Sequence, residues 1–368
     1  MTGKAITLLL LAAIVAVAAV AVVAMSSDDG PDPVVDPDDP VSDPLPKGIT
    51  FDEKTGVLKS KSEVTWNVTD ELKEFYKFDR GKSTPQRVLE PVTSKSITLS
   101  PGLYTITVGE DTFQLVVDGT HTNTASWKYY FNGETYDVSV TYDISISELA
   151  KITVENREYN SSLKPSQAHP FKELPQQVYV GDTARSIVKQ LETRFVQIGG
   201  DMADRQSYAD FLVSFAQLGI KYPDRVDDST DKLVWGQSEY WANSLETMFF
   251  KKGDCEDSAA VACSIFKAAG YDTAMVGIPG HVAAGVVLTD FREVTPQEIS
   301  KYNKFYTSFK LGASASVVET DPQDVIYYGV DTTWGQLPVG YMLGGSVDTI
   351  NKSTMWWGMA GFYPVSSN

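Results

Sequence analysis

The sequence predicts an α+β protein built in segments: an N-terminal transmembrane helix, a spacer, a small all-β domain and a larger mixed domain. Three observations predict it. Residues 5–25 form an uncharged apolar run. Residues 47–118 are rich in β-forming residues punctuated by turn signals. From 119 to 368, two segments with helical spacing are followed by short strand-like runs. The expected boundaries are therefore 1–25, 26–46, 47–118 and 119–368.

Each segment has its own physical reason. "AITLLLLAAIVAVAAVAVVAM" has no charge, Pro or Gly, and about 20 apolar residues span a bilayer core as a helix. Lys4 before it predicts a cytoplasmic N-terminus and an extracellular remainder, in a single-pass cell-membrane arrangement. A cleaved signal peptide is the alternative, with "AAVAVVAM" as its small-residue end. From Asp28 to Pro46 there are seven Asp and six Pro. Pro removes backbone donors and like charges repel, so this stretch reads as an extended spacer.

In the third segment "GLYTITVGEDTFQLVVDGT" is a hairpin pattern around Gly-Glu-Asp. With "SEVTWNVT" and "KSITLS" it suggests a small Ig-like β-sandwich. In the fourth, "SWKYYFNGETYDVSVTYDI" alternates about Asn132-Gly133, a hairpin turn. Ile187, Leu191, Phe195 and Ile198 recur at helical spacing, as do Phe211, Leu212, Phe215 and Leu218. "TAMVGI", "HVAAGVVLT" and "VIYYGVDTT" read as strands.

Composition narrows the function. A net charge of −17 disfavours a nucleic-acid partner. There is no Walker loop and no Gly-x-Gly-x-x-Gly. Two Cys and three His give no zinc-spaced cluster.

The chemistry concentrates in "KKGDCEDSAAVACSIFKAAGYDT". Its alanines favour a helix, Gly270 stops it, and Asp254 suits the N-cap. Cys255 then lies at the helix N-terminus, where the macrodipole favours thiolate. Glu256 and Asp257 oppose this unless they face solvent or cap backbone donors. Cys263 is about 12 Å along the same helix, too far for a disulfide, and reads as a core residue. The candidate base is His281, at the mouth of a strand after Pro-Gly; alone it reads more simply as a strand-end residue. His121 and His169 look like loop residues. Asp331 could orient His281, or could instead be an Asx-turn cap for Thr332–Thr333. Asp321 and Asp324 are weaker choices.

Gly-Asp-Cys-Glu-Asp, Pro-Gly-His and the later "YYGVDTTWGQLPVG" together resemble the transglutaminase-like superfamily, in its microbial branch. The resemblance spans roughly residues 125–345 and is strongest from 237 to 340. It implies a papain-like fold with Cys255 as nucleophile, His281 as base and Asp331 as orienter. It also implies an oxyanion site made by the Cys255 N–H and one upstream side chain: Gln217 first, with Trp241 and Gln237 as alternatives. The implied activity is a thiol hydrolase or acyltransferase acting on amides of proteins or peptides, including cell-surface or wall material. No metal and no cofactor are expected. The alternative is an inactive binding or adhesion protein that uses the same fold.

Overall fold

The computed structural model describes residues 42–162, 171–278, 281–303, 327–341 and 361–366. The first block is antiparallel throughout. β1 (Ile49–Asp52) leads to the 14-residue β2 (Val57–Asp70). A hairpin of β3 (Tyr76–Asp79) and β4 (Lys82–Pro85) follows, then β5 (Val92–Thr98), β6 (Gly102–Val108) and β7 (Asp111–Val117). The sheet runs β1-β2-β6-β7, with β5 also on β2. β5 pairs both halves of β2 with a register shift between Lys59 and Val64, while β1 pairs the first half and β6 the second. Leu58, Trp66, Ile106 and Phe113 fill its core. Residues 42–43 cover the β7 edge: Gln114 N donates to Asp43 Oδ2 at 2.7 Å and Val116 N to Ser42 Oγ at 3.1 Å. An open edge would otherwise invite pairing with another chain.

β8 (Thr120–Phe131) and β9 (Glu134–Ser145) make a long two-stranded ribbon. Asn132 and Gly133 both have positive φ, 50° and 89°, the geometry of the tight hairpin turn. One face buries Ala125, Trp127, Tyr129, Val138, Val140 and Tyr142. The other carries facing hydroxyls, Thr124 on Thr141 and Ser126 on Ser139.

The helical middle contains α1 (Ile146–Ser162), α2 (Asp182–Gln197), α3 (Arg205–Ser214), the short α4 (Asp231–Val234), α5 (Ser244–Phe250) and α6 (Cys255–Ala268). All four periodic residues of the α2 segment, Ile187 to Ile198, are buried. After α3 the chain loosens into a π-turn over Phe215–Gly219. α6 packs on β10 (Thr273–Ile278) and β11 (His281–Val287). With the short α7 (Pro296–Ile299) between, β12 (Tyr327–Val330) and β13 (Gly361–Pro364) complete a sheet of order β12-β11-β10-β13.

Two architectural expectations are corrected. Among the described residues no helix is long and apolar enough to cross a membrane. The longest, α1, carries Glu148, Lys151, Glu155, Arg157 and Glu158, and belongs to the folded body. The membrane-spanning helix, the single-pass localisation and the fold class that included them are therefore not supported; residues 5–25 themselves lie outside the described residues. The chain is instead described as a mixed α/β structure. The Ig-like sandwich of separate sheets is also replaced. The shift within β2 lets one strand join both sides, and a single five-stranded sheet results.

The β-rich block is fastened to the helical part. Leu72, Leu103 and Val116 belong to the same apolar cluster as α1, α2 and α6. Glu71 accepts from Arg157 Nη1 at 2.9 Å and from Thr105 Oγ1 at 2.9 Å. Arg87 donates to the carbonyls of Lys73 and Val234.

Candidate active site

Cys255 opens α6, so its N–H is one of the donors that a helix leaves without an internal acceptor. The preceding Gly253 permits this approach. A Cβ there would lie 2.5 Å from Asp257 Cβ and 2.8 Å from Thr247 Cγ2. The turn is clamped from outside by Lys221, whose N–H reaches Lys251 O and whose carbonyl takes Gly253 N–H.

Strand register supplies the partners. β10 and β11 pair from Thr273↔Val286 to Ile278↔His281, placing His281 at the start of β11. β12 pairs Val330 with Ala284. Continued one residue, Asp331 faces Ala283, on the same side of the sheet as His281. His281 Nε2 and Asp331 Oδ2 lie 3.0 Å apart. Asp331 is fully buried. Its other oxygen, Oδ1, accepts from Thr333 N at 2.9 Å and Thr333 Oγ1 at 2.8 Å. The two sequence readings of Asp331 are thus both realised, one on each oxygen.

With Nε2 on Asp331, Nδ1 is the other ring nitrogen of His281, and Cys255 interacts with the imidazole closely enough to raise its pKa. Burial alone would lower the His281 pKa. The bonds to Asp331 and Cys255, and their charges, outweigh it and hold the imidazole at about 10. Cys255 Sγ also donates to Glu256 Oε2 at 3.0 Å. Cys263 is fully buried, donates to Ala274 O, and burial pushes its thiol up to about 12.

The three upstream donors part company. Gln217 is buried and its Nε2 donates to Asp331 O and Leu337 O, both at 2.8 Å, while Leu337 N donates to its Oε1 at 3.3 Å. Both amide hydrogens are therefore engaged by main-chain carbonyls, and the π-turn is what aims them there. Gln217 holds the loop of Asp331 instead of offering a donor to substrate. Trp241 is buried, stacked on Phe171, with Nε1 donating to Glu239 Oε1 at 3.2 Å. Gln237 is exposed in the turn between α4 and Tyr240. His121 sits against Phe249 on the ribbon, not in a loose turn. His169, Asp321 and Asp324 lie outside the described residues.

The carboxylates beside Cys255 differ from expectation. Asp254 is at the N-cap but makes no side-chain cap; its Oδ2 instead accepts from Thr230 Oγ1 at 2.7 Å. Glu256 and Asp257 are buried, not solvated. Burial, and then neighbouring acids, raise the pKa of both well above the usual carboxylate range. Two groups of ligand atoms lie within 4.8 Å of one another: Asp254, Cys255 and Glu256, and Asp231, Asp254 and Asp257. Asp231 and Thr230 were not singled out from sequence, and nothing in the spacing announced them.

No protein-family model, no curated protein and no solved structure matches the chain.

Proposed function

We propose that the chain is a thiol enzyme that cleaves or transfers the acyl group of protein or peptide amides. The observation that carries the reading is the pair Asp331 Oδ2–His281 Nε2 at 3.0 Å, with Cys255 at a helix start among the groups that raise the pKa of the same imidazole. In this reading His281 Nδ1 removes the Cys255 proton, and the sulfur attacks the amide carbonyl carbon. The oxyanion develops beside the Cys255 N–H. The imidazolium, oriented by Asp331, returns the proton to the departing amine nitrogen. The thioester is then taken by water, giving hydrolysis, or by an amine, giving transfer. Water is the simpler acceptor. The Gly-Asp-Cys-Glu-Asp and Pro-Gly-His motifs support the same reading through their resemblance to the transglutaminase-like superfamily.

One observation favours a second reading, an inactive binding protein. Cys255 Sγ donates to Glu256 Oε2 at 3.0 Å, so the sulfur is engaged by a carboxyl group instead of the imidazole. Pairing the cysteines separates the two. Cys255→Ala should abolish turnover on peptide and isopeptide libraries, screened with and without an amine acceptor, and leave the fold intact. Cys263→Ala should keep activity and lose about 1–2 kcal/mol of stability to a small cavity. Labelling of Cys255 by a thiol probe should greatly outpace that of an ordinary thiol. Labelling at the ordinary rate, with no turnover on any substrate, would favour the binding protein.

A further inference from the structure

A group of acids beside the nucleophile is left unexplained by the catalytic reading. Asp231, Asp254 and Asp257 are 2%, 7% and 0% exposed. They come from two places in the chain: Asp231 from α4, and Asp254 and Asp257 from the start of α6. Each is fixed through one oxygen by a donor outside the group. Tyr240 N donates to Asp231 Oδ2 at 2.8 Å, Thr230 Oγ1 to Asp254 Oδ2 at 2.7 Å, and Ala242 N to Asp257 Oδ1 at 2.8 Å. Each keeps its second oxygen buried without a hydrogen-bond partner: Asp231 Oδ1, Asp254 Oδ1 and Asp257 Oδ2. One ligand oxygen from each lies within 4.8 Å of the others.

Three buried carboxylates so close cannot all stay ionised without positive charge between them. Among the described residues no lysine or arginine forms an ion pair with any of the three, although many pair elsewhere. Nearby cationic groups are spoken for: Lys232 bonds Asp227 and Lys252 bonds Glu74. An orphan buried carboxylate oxygen is costly unless something polar or charged meets it. Here three carboxylates that lie together each hold such an oxygen, and each is fixed by an independent hydrogen bond.

We propose that Asp231, Asp254 and Asp257 bind one hard divalent cation, Ca2+ in preference to Mg2+. The donors are all oxygen, which selects a hard ion. Their separation suits metal–oxygen distances of about 2.3–2.6 Å. The ligands come from two segments, each carboxylate oriented by its own hydrogen bond. Ca2+ accepts such irregular geometry, whereas Mg2+ demands a near-ideal octahedron. The ion ties α4 to the start of α6. This inference is independent of the catalytic reading, because a binding protein would need the same charge balance.

The test uses the full chain, stripped with chelator and dialysed. Ca2+ alone, then Mg2+ alone, is titrated by calorimetry, and thermal unfolding is followed over the same concentrations. About one Ca2+ per chain should bind, and the unfolding midpoint should rise with Ca2+, as for any ligand of the folded state only. Asp231→Asn, which leaves α6 untouched, should weaken Ca2+ binding at least about tenfold and remove the rise. In chelator this variant should unfold no earlier than wild type, since it relieves repulsion. Asp257→Asn should behave alike, so a folding failure of either leaves the other, and the wild-type titration stands alone. No binding heat and no midpoint change with Ca2+ in the folded wild-type chain would overturn the proposal: the carboxylates would then be sharing protons. Unchanged Ca2+ affinity in Asp231→Asn, or tighter binding of Mg2+ than of Ca2+, would overturn it too.

Discussion

Gln217→Leu separates two roles that one buried side chain could play. Leucine fills a similar volume but cannot donate. The substitution strands two carbonyl oxygens, those of Asp331 and Leu337, each of which accepts from Gln217 at 2.8 Å. It also removes the acceptor of Leu337 N at 3.3 Å. A buried group left unpaired costs about 1–3 kcal/mol, so the two carbonyls together place the loss at roughly 2–6 kcal/mol. The third bond is long and adds little. Urea unfolding of wild type and variant measures this directly, with unchanged slope if the folded and unfolded states keep their compactness. Turnover should fall as well, because the freed loop carries Asp331 away from His281. The fall should be partial, since the imidazole is misoriented, not removed. A variant as stable as wild type that has lost turnover would refute the reasoning. It would mean that Gln217 serves the oxyanion and that its carbonyl contacts are incidental.

Two further outcomes follow from charge. The His281 pKa is raised from 6.5 to about 10 by the balance of burial against Asp331 and Cys255, so its stabilising contribution is fully present below the unfolded pKa and is lost as pH rises through the folded one. Between about pH 6.5 and 10 the stability advantage of wild type over His281→Gln should shrink by up to about 1.4 kcal/mol per pH unit; a pH-independent difference in unfolding free energy would contradict this. Glu71→Ala leaves Arg157 and Arg87, 24% and 10% exposed, without their shared carboxylate, and should cost about 3–5 kcal/mol in urea unfolding, with Glu71→Gln milder; a loss below about 1 kcal/mol would mean the pair behaves as a surface bridge.

Local chemistry was readable from sequence where local rules decide the outcome. Asn132-Gly133 makes its hairpin because both residues tolerate positive φ. α2 shows itself because its inward face is apolar. α6 shows itself through its alanines and through Gly270, which has φ of 80°. By contrast α1 carried no such signal. Its buried face includes Thr153, Asn156 and Asn160, and the two asparagines offset their burial by bonding Glu246 and the Trp241 main chain. Polar residues that are buried by long-range partners look, in sequence, like a solvated surface. The same reason hid Gln217's role: which acceptors its amide meets depends on residues more than 100 positions away. Asp254 looked like a side-chain cap because the local rule favours it, but Thr230, 24 residues upstream, takes its oxygen. The proximity of Cys255, His281 and Asp331 needed the pairing of β10, β11 and β12, which no local pattern encodes.

The fastening of residues 331–341 has a consequence in time. Asp331 N–H reaches Tyr341 O, and Gly340 N–H reaches Gly329 O. Gln336 exchanges two bonds with the Tyr130 main chain, and Val339 N–H is held by Asp210. Tyr130 lies in the ribbon and Asp210 in α3, both made earlier by a ribosome that delivers domains from the N-terminus. A growing chain that has released only α6 holds Cys255 without His281, and one ending after β11 holds His281 without Asp331. On the proposed reading the three therefore come together only once β12 has docked beside β11.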